Sequence, residues 1–236
     1  MACSSVDPES RPIADASAPS GNVGFDNSEE ALEEAEVGNL AEARRFAAQA
    51  GANTPNRNSQ LVLALAFART GDIVEAQNLA DALNQNAPLD TVVQNYYLPT
   101  IHAAIKLHQT DPNGAIAVLQ STVKYDLASP TGFNSLYPAY IRGLAYLQMG
   151  DGRKAEAEFQ KLLDHSGIVG REVIGALSHL QLARAQQMMG DEAASRRSYE
   201  DFLALWKDAD TDIPLYQQAK SECARLSNKT KRHILN

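Results

Sequence analysis

The sequence predicts an all-α fold, an array of about five helix pairs followed by one closing helix. Three observations predict it. Two small residues stand twelve positions apart, and this pairing recurs five times along the chain. A turn dipeptide, most often beginning with Gly, falls seven residues after the first member of every pair. No window shows the sustained apolar/polar alternation, bounded by hairpin turns, that a sheet requires.

The small pairs are Ala31 with Ala43, Ala64 with Ala76, Ala103 with Ala115, Gly143 with Ala155, and Ala183 with Ser195. Small side chains at matched places let two antiparallel helices approach closely at one crossing. Large apolar residues then fill the groove beside it. Leu119, Phe159 and Tyr199 hold that filling place, with Leu83, Leu162 and Phe202 three residues beyond their own unit's equivalent. The turn dipeptides are Gly38-Asn39, Gly71-Asp72, Thr110-Asp111, Gly150-Asp151 and Gly190-Asp191. Gly ends a helix by taking the left-handed conformation, and Asp or Asn starts the next by accepting backbone N–H groups. Glu42 and Glu75 stand three residues after Asn39 and Asp72, which predicts reciprocal capping boxes at the first two turns.

The first small residue advances by 33, 39, 40 and 40 positions from unit to unit. The folded region is expected over 24–226, in units at about 24–56, 57–89, 91–130, 134–170 and 171–210, with a capping helix at 212–226. That helix carries Pro214 in its first turn and a stripe of Leu215, Ala219, Cys223 and Leu226. Residues 1–23 are rich in Ser, Pro and Ala without periodicity and predict a disordered tail, as does the short basic stretch 227–236. Cys3 follows no apolar segment, so the start of the chain is read as an ordinary flexible terminus rather than a lipid attachment site.

Composition narrows the function classes. Twenty-one basic against 29 acidic residues give a net charge of -8, the wrong sign for tracking phosphates, so nucleic acid is not an expected partner. The strongest apolar run, Leu61 to Phe67, is far short of the roughly 20 residues that span a bilayer. Cys3 and Cys223 make neither a disulfide framework nor a zinc site. His102, His108, His165, His179 and His233 show no spacing that sets two imidazoles on one helix face. No metal, cofactor or catalytic group is expected, and Asp164-His165 and the acids from Asp208 to Asp212 read as caps and loop charges.

Gly71-Asp72, Ala76 and Pro88 resemble the helix-turn-helix signature of tetratricopeptide repeats, without the usual early Trp. A standard unit of that kind is about 34 residues, close to the first advance here. Residues 92–226 are also similar to the C-terminal repeat region of acidobacterial-type eukaryotic-like serine/threonine kinases and of some winged-helix regulators. The segments carrying this likeness are YYLP at 96–99, LYPAYIRGLAYL at 136–147, AEFQKLLDHSGIV at 157–169, GALSHLQLARA at 175–185 and DFLALWKDADTDIP at 201–214. Kinase activity does not transfer, because the chain has no Gly-rich phosphate loop, no HRD and no DFG. Cys223 stands where the resemblance leads one to expect an aromatic residue.

The expected function is therefore a scaffold or sensor module that holds a protein or peptide in the groove lined by the first helices. The alternative is the regulatory region of a bacterial serine/threonine kinase, separated from its catalytic domain. The chain as given points to the cytoplasm; membership in a longer membrane-anchored protein would place it outside. Candidate contact residues are Tyr97, Tyr137, Tyr140, Leu144, Arg184 and Gln187, since Tyr and Arg offer large contact area with a polar end. The acidic run Glu29, Glu30, Glu33, Glu34 and Glu36 offers a patch to a basic partner or a solvated end of the array. Sequence leaves the partner's identity and the oligomeric state open.

Overall fold

The computed structural model describes residues 23–52, 56–128 and 135–234, and all regular structure among them is helical, with no strand. The first pair is α1 (Val23–Glu36) with α2 (Leu40–Ala52), and the second is α3 (Arg57–Thr70) with α4 (Ile73–Asn86). A π-helical turn, Val93–Tyr97, leads into α5 (Leu98–His108), which pairs with α6 (Pro112–Leu119) and is followed by a 3-10 turn, Gln120–Tyr125. The fourth pair is α7 (Tyr137–Gln148) with α8 (Gly152–Asp164). A single turn, α9 (Ser166–Val169), precedes the fifth pair, α10 (Val173–Met188) with α11 (Glu192–Leu205), and α12 (Pro214–Ile234) ends the array. The expected N-terminal tail lies outside the described residues except for Val23, which opens α1. At the other end α12 continues past Leu226, where its apolar stripe stops, as far as Ile234.

The small pairs make the crossings. Ala31, Ala43, Ala64, Ala76, Ala103, Ala115, Ala155, Ala183 and Ser195 all have 0% exposure. The Ser195 hydroxyl donates to the Ala183 carbonyl at 2.8 Å, so the two members of the last pair touch directly. At Gly143 even a methyl group is too much, because a Cβ there would sit 2.6 Å from the Phe159 ring. Phe159, Tyr199 and Phe202 are fully buried beside these crossings. Each such ring contributes about 2–3 kcal/mol of burial.

All five turn residues take positive φ: Gly38 at 84°, Gly71 at 87°, Thr110 at 59°, Gly150 at 75° and Gly190 at 82°. Gly71 is constrained twice, since a Cβ there would also lie 2.4 Å from the His108 imidazole. Asp111, Asp151 and Asp191 cap the following helices by accepting the backbone N–H of Gly114, Lys154 and Ala194 at 2.8, 3.1 and 2.9 Å. The capping box expected at Asp72 does not form. Its carboxylate instead accepts from Arg44 at 2.9 Å and from the Thr70 hydroxyl at 2.7 Å, so α2 has taken the group that would have capped α4. Those bonds outweigh the effect of burial and hold the Asp72 carboxyl below its ordinary range. Glu42 is likewise taken up by Arg45, at 2.7 Å.

Each second helix packs on its own partner and on the next unit's first helix: α2 on α3, α4 on α5, α6 on α7 and α8 on α10. First helices also stack on one another, α1 on α3, α3 on α5, α5 on α7 and α7 on α10. The link after the third pair is pinned by charge. Arg142, 2% exposed, binds Asp126 at 2.5 Å and Glu158 at 3.0 Å, and Lys161 reaches the same two carboxylates at 2.9 and 3.0 Å. Trp206 connects the last pair to the closing helix, its ring centroid 5.0 Å from Phe202 and 6.4 Å from Tyr216.

The array turns back on itself. Helix α1 touches α10, and the Leu215 N–H at the start of α12 donates to the Val37 carbonyl at the end of α1 at 3.3 Å.

Candidate functional site: the seam where the array closes

Helix α1 has two charged edges because its acids recur at helical spacing. Glu29, Glu33 and Glu36 follow one face, while Glu30 and Glu34 lie beside it. In a standard end unit both edges would face water. Here α1 lies against the later units, so the acids line two clefts along the seam. The larger, about 550 Å³, is walled by Glu29, Leu32, Glu33 and Glu36 of α1, by Tyr137 of α7, and by residues 167–174. The smaller, about 340 Å³, sets Glu30, Glu33 and Glu34 opposite Trp206, Asp210 and Asp212. Gly170, with φ at 68°, turns the chain between α9 and α10 and lets 167–174 form the opposite wall of the larger cleft.

Electrostatics at this wall follow from burial first and from neighbouring like charges second. Burial, then Asp26 and Glu30, push the Glu29 carboxyl above its ordinary value. Burial, then Glu30, Glu29 and Glu34, do the same to Glu33. Burial again comes first for Glu34, helped by Glu30 and Glu42 and opposed by Asn39 and Arg45. The wall is thus a set of carboxylates that gains from any cation brought near it. Arg171 already lines the far side of the larger cleft.

Glu36 anchors the floor. Its side chain has 0% exposure and takes both branches of the Arg69 guanidinium, at 2.5 and 3.0 Å. The Tyr137 hydroxyl donates to the same carboxylate from across the seam. Burial works against the charge on Arg69, but Glu36, helped by Tyr137, overrides it and keeps the guanidinium above its ordinary value. Burial and the neighbouring Glu36 raise the Tyr137 phenol well above its own, so it stays a donor.

Of the six residues expected to meet a partner, the structure brings Tyr137, Tyr140 and Arg184 into one polar line behind the seam. Tyr137 and Tyr140 are each 1% exposed, with ring centroids 5.9 Å apart. A side-chain hydrogen bond links Tyr140 to Gln181, and Gln181 accepts from Arg184 at 3.2 Å. Arg184 is held in turn by Glu222 of α12 at 3.0 and 3.1 Å. Tyr97, also 1% exposed, belongs to the π-helical turn and serves the link into the third unit. These three tyrosines are therefore core residues here rather than the lining of an open groove: Tyr137 meets Glu36 of α1, Tyr140 packs on Phe159 of α8, and Tyr97 packs on Tyr96. Leu144 is half-buried and Gln187 is exposed.

Sequence reasoning singled out neither the Glu36–Arg69 pair nor the wall at 167–174. A signal for the pair existed. Glu36 stands five residues after Ala31, and Arg69 five residues after Ala64, so opposite charges occupy one register position in consecutive units. No such signal marks residues 167–174, which lie in a link between units.

Among the described residues no helix is long and apolar enough to cross a membrane. No protein-family model, curated protein or solved structure matches this chain.

Proposed function

We propose that this chain is a protein-interaction module, a tetratricopeptide-like solenoid that holds a peptide segment of mixed basic and apolar character in the seam cleft. The observation that carries this reading is the larger cleft itself. Its volume of about 550 Å³ lies within the usual range of ligand sites. It pairs Glu29 and Glu33 on one side with Ile168, Val173 and Ile174 on the other. Carboxylates raised by burial and by one another favour a cationic side chain, and the aliphatic wall favours an apolar neighbour two or three residues along. Preformed helices supply the shape, so the ordering cost of binding falls on the peptide.

A second reading concerns what the module belongs to. The similarity of residues 92–226 to repeat regions that follow bacterial serine/threonine kinase domains supports a regulatory arm of a signalling protein. The cleft would serve the same purpose there, in the cytoplasm or, for a membrane-anchored parent, outside it.

Fluorescein-labelled twelve-residue peptides alternating Lys with Leu, and Glu with Leu, test the reading by anisotropy. The basic peptide should bind and weaken as salt is raised, while the acidic one should not. Glu29→Lys combined with Glu33→Lys should weaken the basic peptide by at least about tenfold, a loss of about 1.4 kcal/mol. Equal binding of both peptides, or indifference to the double substitution, contradicts it.

A further inference from the structure

Consecutive helix pairs are joined helix to helix along the array, and each pair closes on fully buried small residues. The seam is joined differently. Two clefts interrupt it, and polar links cross it at separate points: the Tyr137 hydroxyl on Glu36 and the Leu215 N–H on the Val37 carbonyl. Leu32 and Val37 add apolar cover from α1.

We propose that the seam is a clasp, which opens with every helix pair intact and has the Tyr137–Glu36 hydrogen bond as its latch. Repeat arrays draw their stability from contacts between neighbours, so a contact between first and last units is not needed to keep the pairs folded. Glu36 makes the exchange cheap. In the closed state its buried charge is shared between Arg69 and Tyr137. In the open state it keeps Arg69, its partner from the adjacent unit, and gains water in place of the phenol. No buried charge is stranded either way, which is what a two-state contact requires. Like charges across the smaller cleft, Glu30, Glu33 and Glu34 against Asp210 and Asp212, favour opening, while Arg171 across the larger one favours closure. Opening uncovers Tyr137 and turns the cleft into a groove along α7 and α10. What enters that groove rests on the peptide-binding reading above; the opening itself does not.

Hydrogen exchange read by mass spectrometry on the full chain tests the clasp without any ligand. In Tyr137→Phe, exchange of the Leu215 amide, whose bond to the Val37 carbonyl crosses the seam, should rise about tenfold, with the helical amides of every pair unchanged and far-ultraviolet circular dichroism the same as wild type. A staple supplies the converse. A Cβ at Gly38 would lie 3.6 Å from the Cβ of Pro214, inside the range a disulfide bridges. With Cys3→Ser and Cys223→Ser, the oxidised Gly38→Cys/Pro214→Cys chain carrying Tyr137→Phe should return to wild-type exchange, and its reduced form should not. Unchanged exchange in Tyr137→Phe overturns the proposal, as does exchange raised evenly along the array. So does raised exchange that survives the closed staple or that spreads through α1, which would mean that the helix unravels rather than swings. A clasp that opens while no peptide binds would refute the binding reading and leave the device standing.

Discussion

At the crossing of α10 and α11, Ala183 and Ser195 meet with no exposed surface and a 2.8 Å bond between them. Where α1 returns to α10, the same chain leaves clefts of about 550 and 340 Å³ lined by carboxylates. The first kind of contact is made of size: alanine, glycine and serine set how near two helices come. The second is made of charge and backbone, and it tolerates space. The difference teaches that close packing and polar space are segregated here, with dry crossings fixing the pairs and the clefts confined to the seam, where the proposed binding and opening are placed.

Substitutions inside the array should break the whole molecule, and those at the seam should not. The largest effect is expected at Arg142→Met, which leaves Asp126 and Glu158 with Lys161 alone, at a cost of about 4 kcal/mol in chemical denaturation. Ala155→Trp follows, since an indole cannot fit a crossing with 0% exposure; melting should report a loss of about 3 kcal/mol. A smaller effect of opposite sign is expected at Thr110→Gly. Thr110 holds φ at 59°, a strained place for a β-branched residue, and Gly should raise the unfolding free energy by about 1 kcal/mol.

The smallest effect belongs to the seam. Because Glu29, Glu33 and Glu34 have raised values in the folded chain, each binds protons more readily folded than unfolded. Their contribution to stability therefore increases as pH falls into the window just above 4.5 and is lost as pH rises above it. Asp72 runs the other way, stabilising above its ordinary 3.8 and losing that contribution in stronger acid. His102 and His179, whose values burial lowers, lose stability as pH falls over the same interval, so the wall is read by difference: the melting temperature of wild type should gain on that of Glu33→Gln from pH 7 toward 5. A difference between the two chains that does not change with pH would show that Glu33 is not held above its ordinary value.

The helix pairs were legible because their cause is local. A small residue, a turn seven positions on and a second small residue each act within one unit, and repetition made the pattern visible. Thr110 shows how strong that pattern is: it adopts the left-handed turn that Gly occupies elsewhere. The exception, Asp72, failed as a cap because a residue 28 positions earlier, Arg44, reached it first. The seam was not legible, because closure depends on the summed rotation of five units and no single residue encodes that. Tyr137 and Tyr140 stand on the face expected to meet a partner, and contacts from distant units bury them, Glu36 of α1 on Tyr137 and Gln181 of α10 on Tyr140. Only the shared register of Glu36 and Arg69 carried a trace of the site.

The most direct test is a footprint of the basic Lys/Leu peptide on the full chain by hydrogen exchange. The account predicts added protection on α1, residues 166–174 and the facing parts of α7 and α10, with α2, α4 and α6 unchanged. Protection on those second helices, with α1 and 166–174 unaffected, would contradict it.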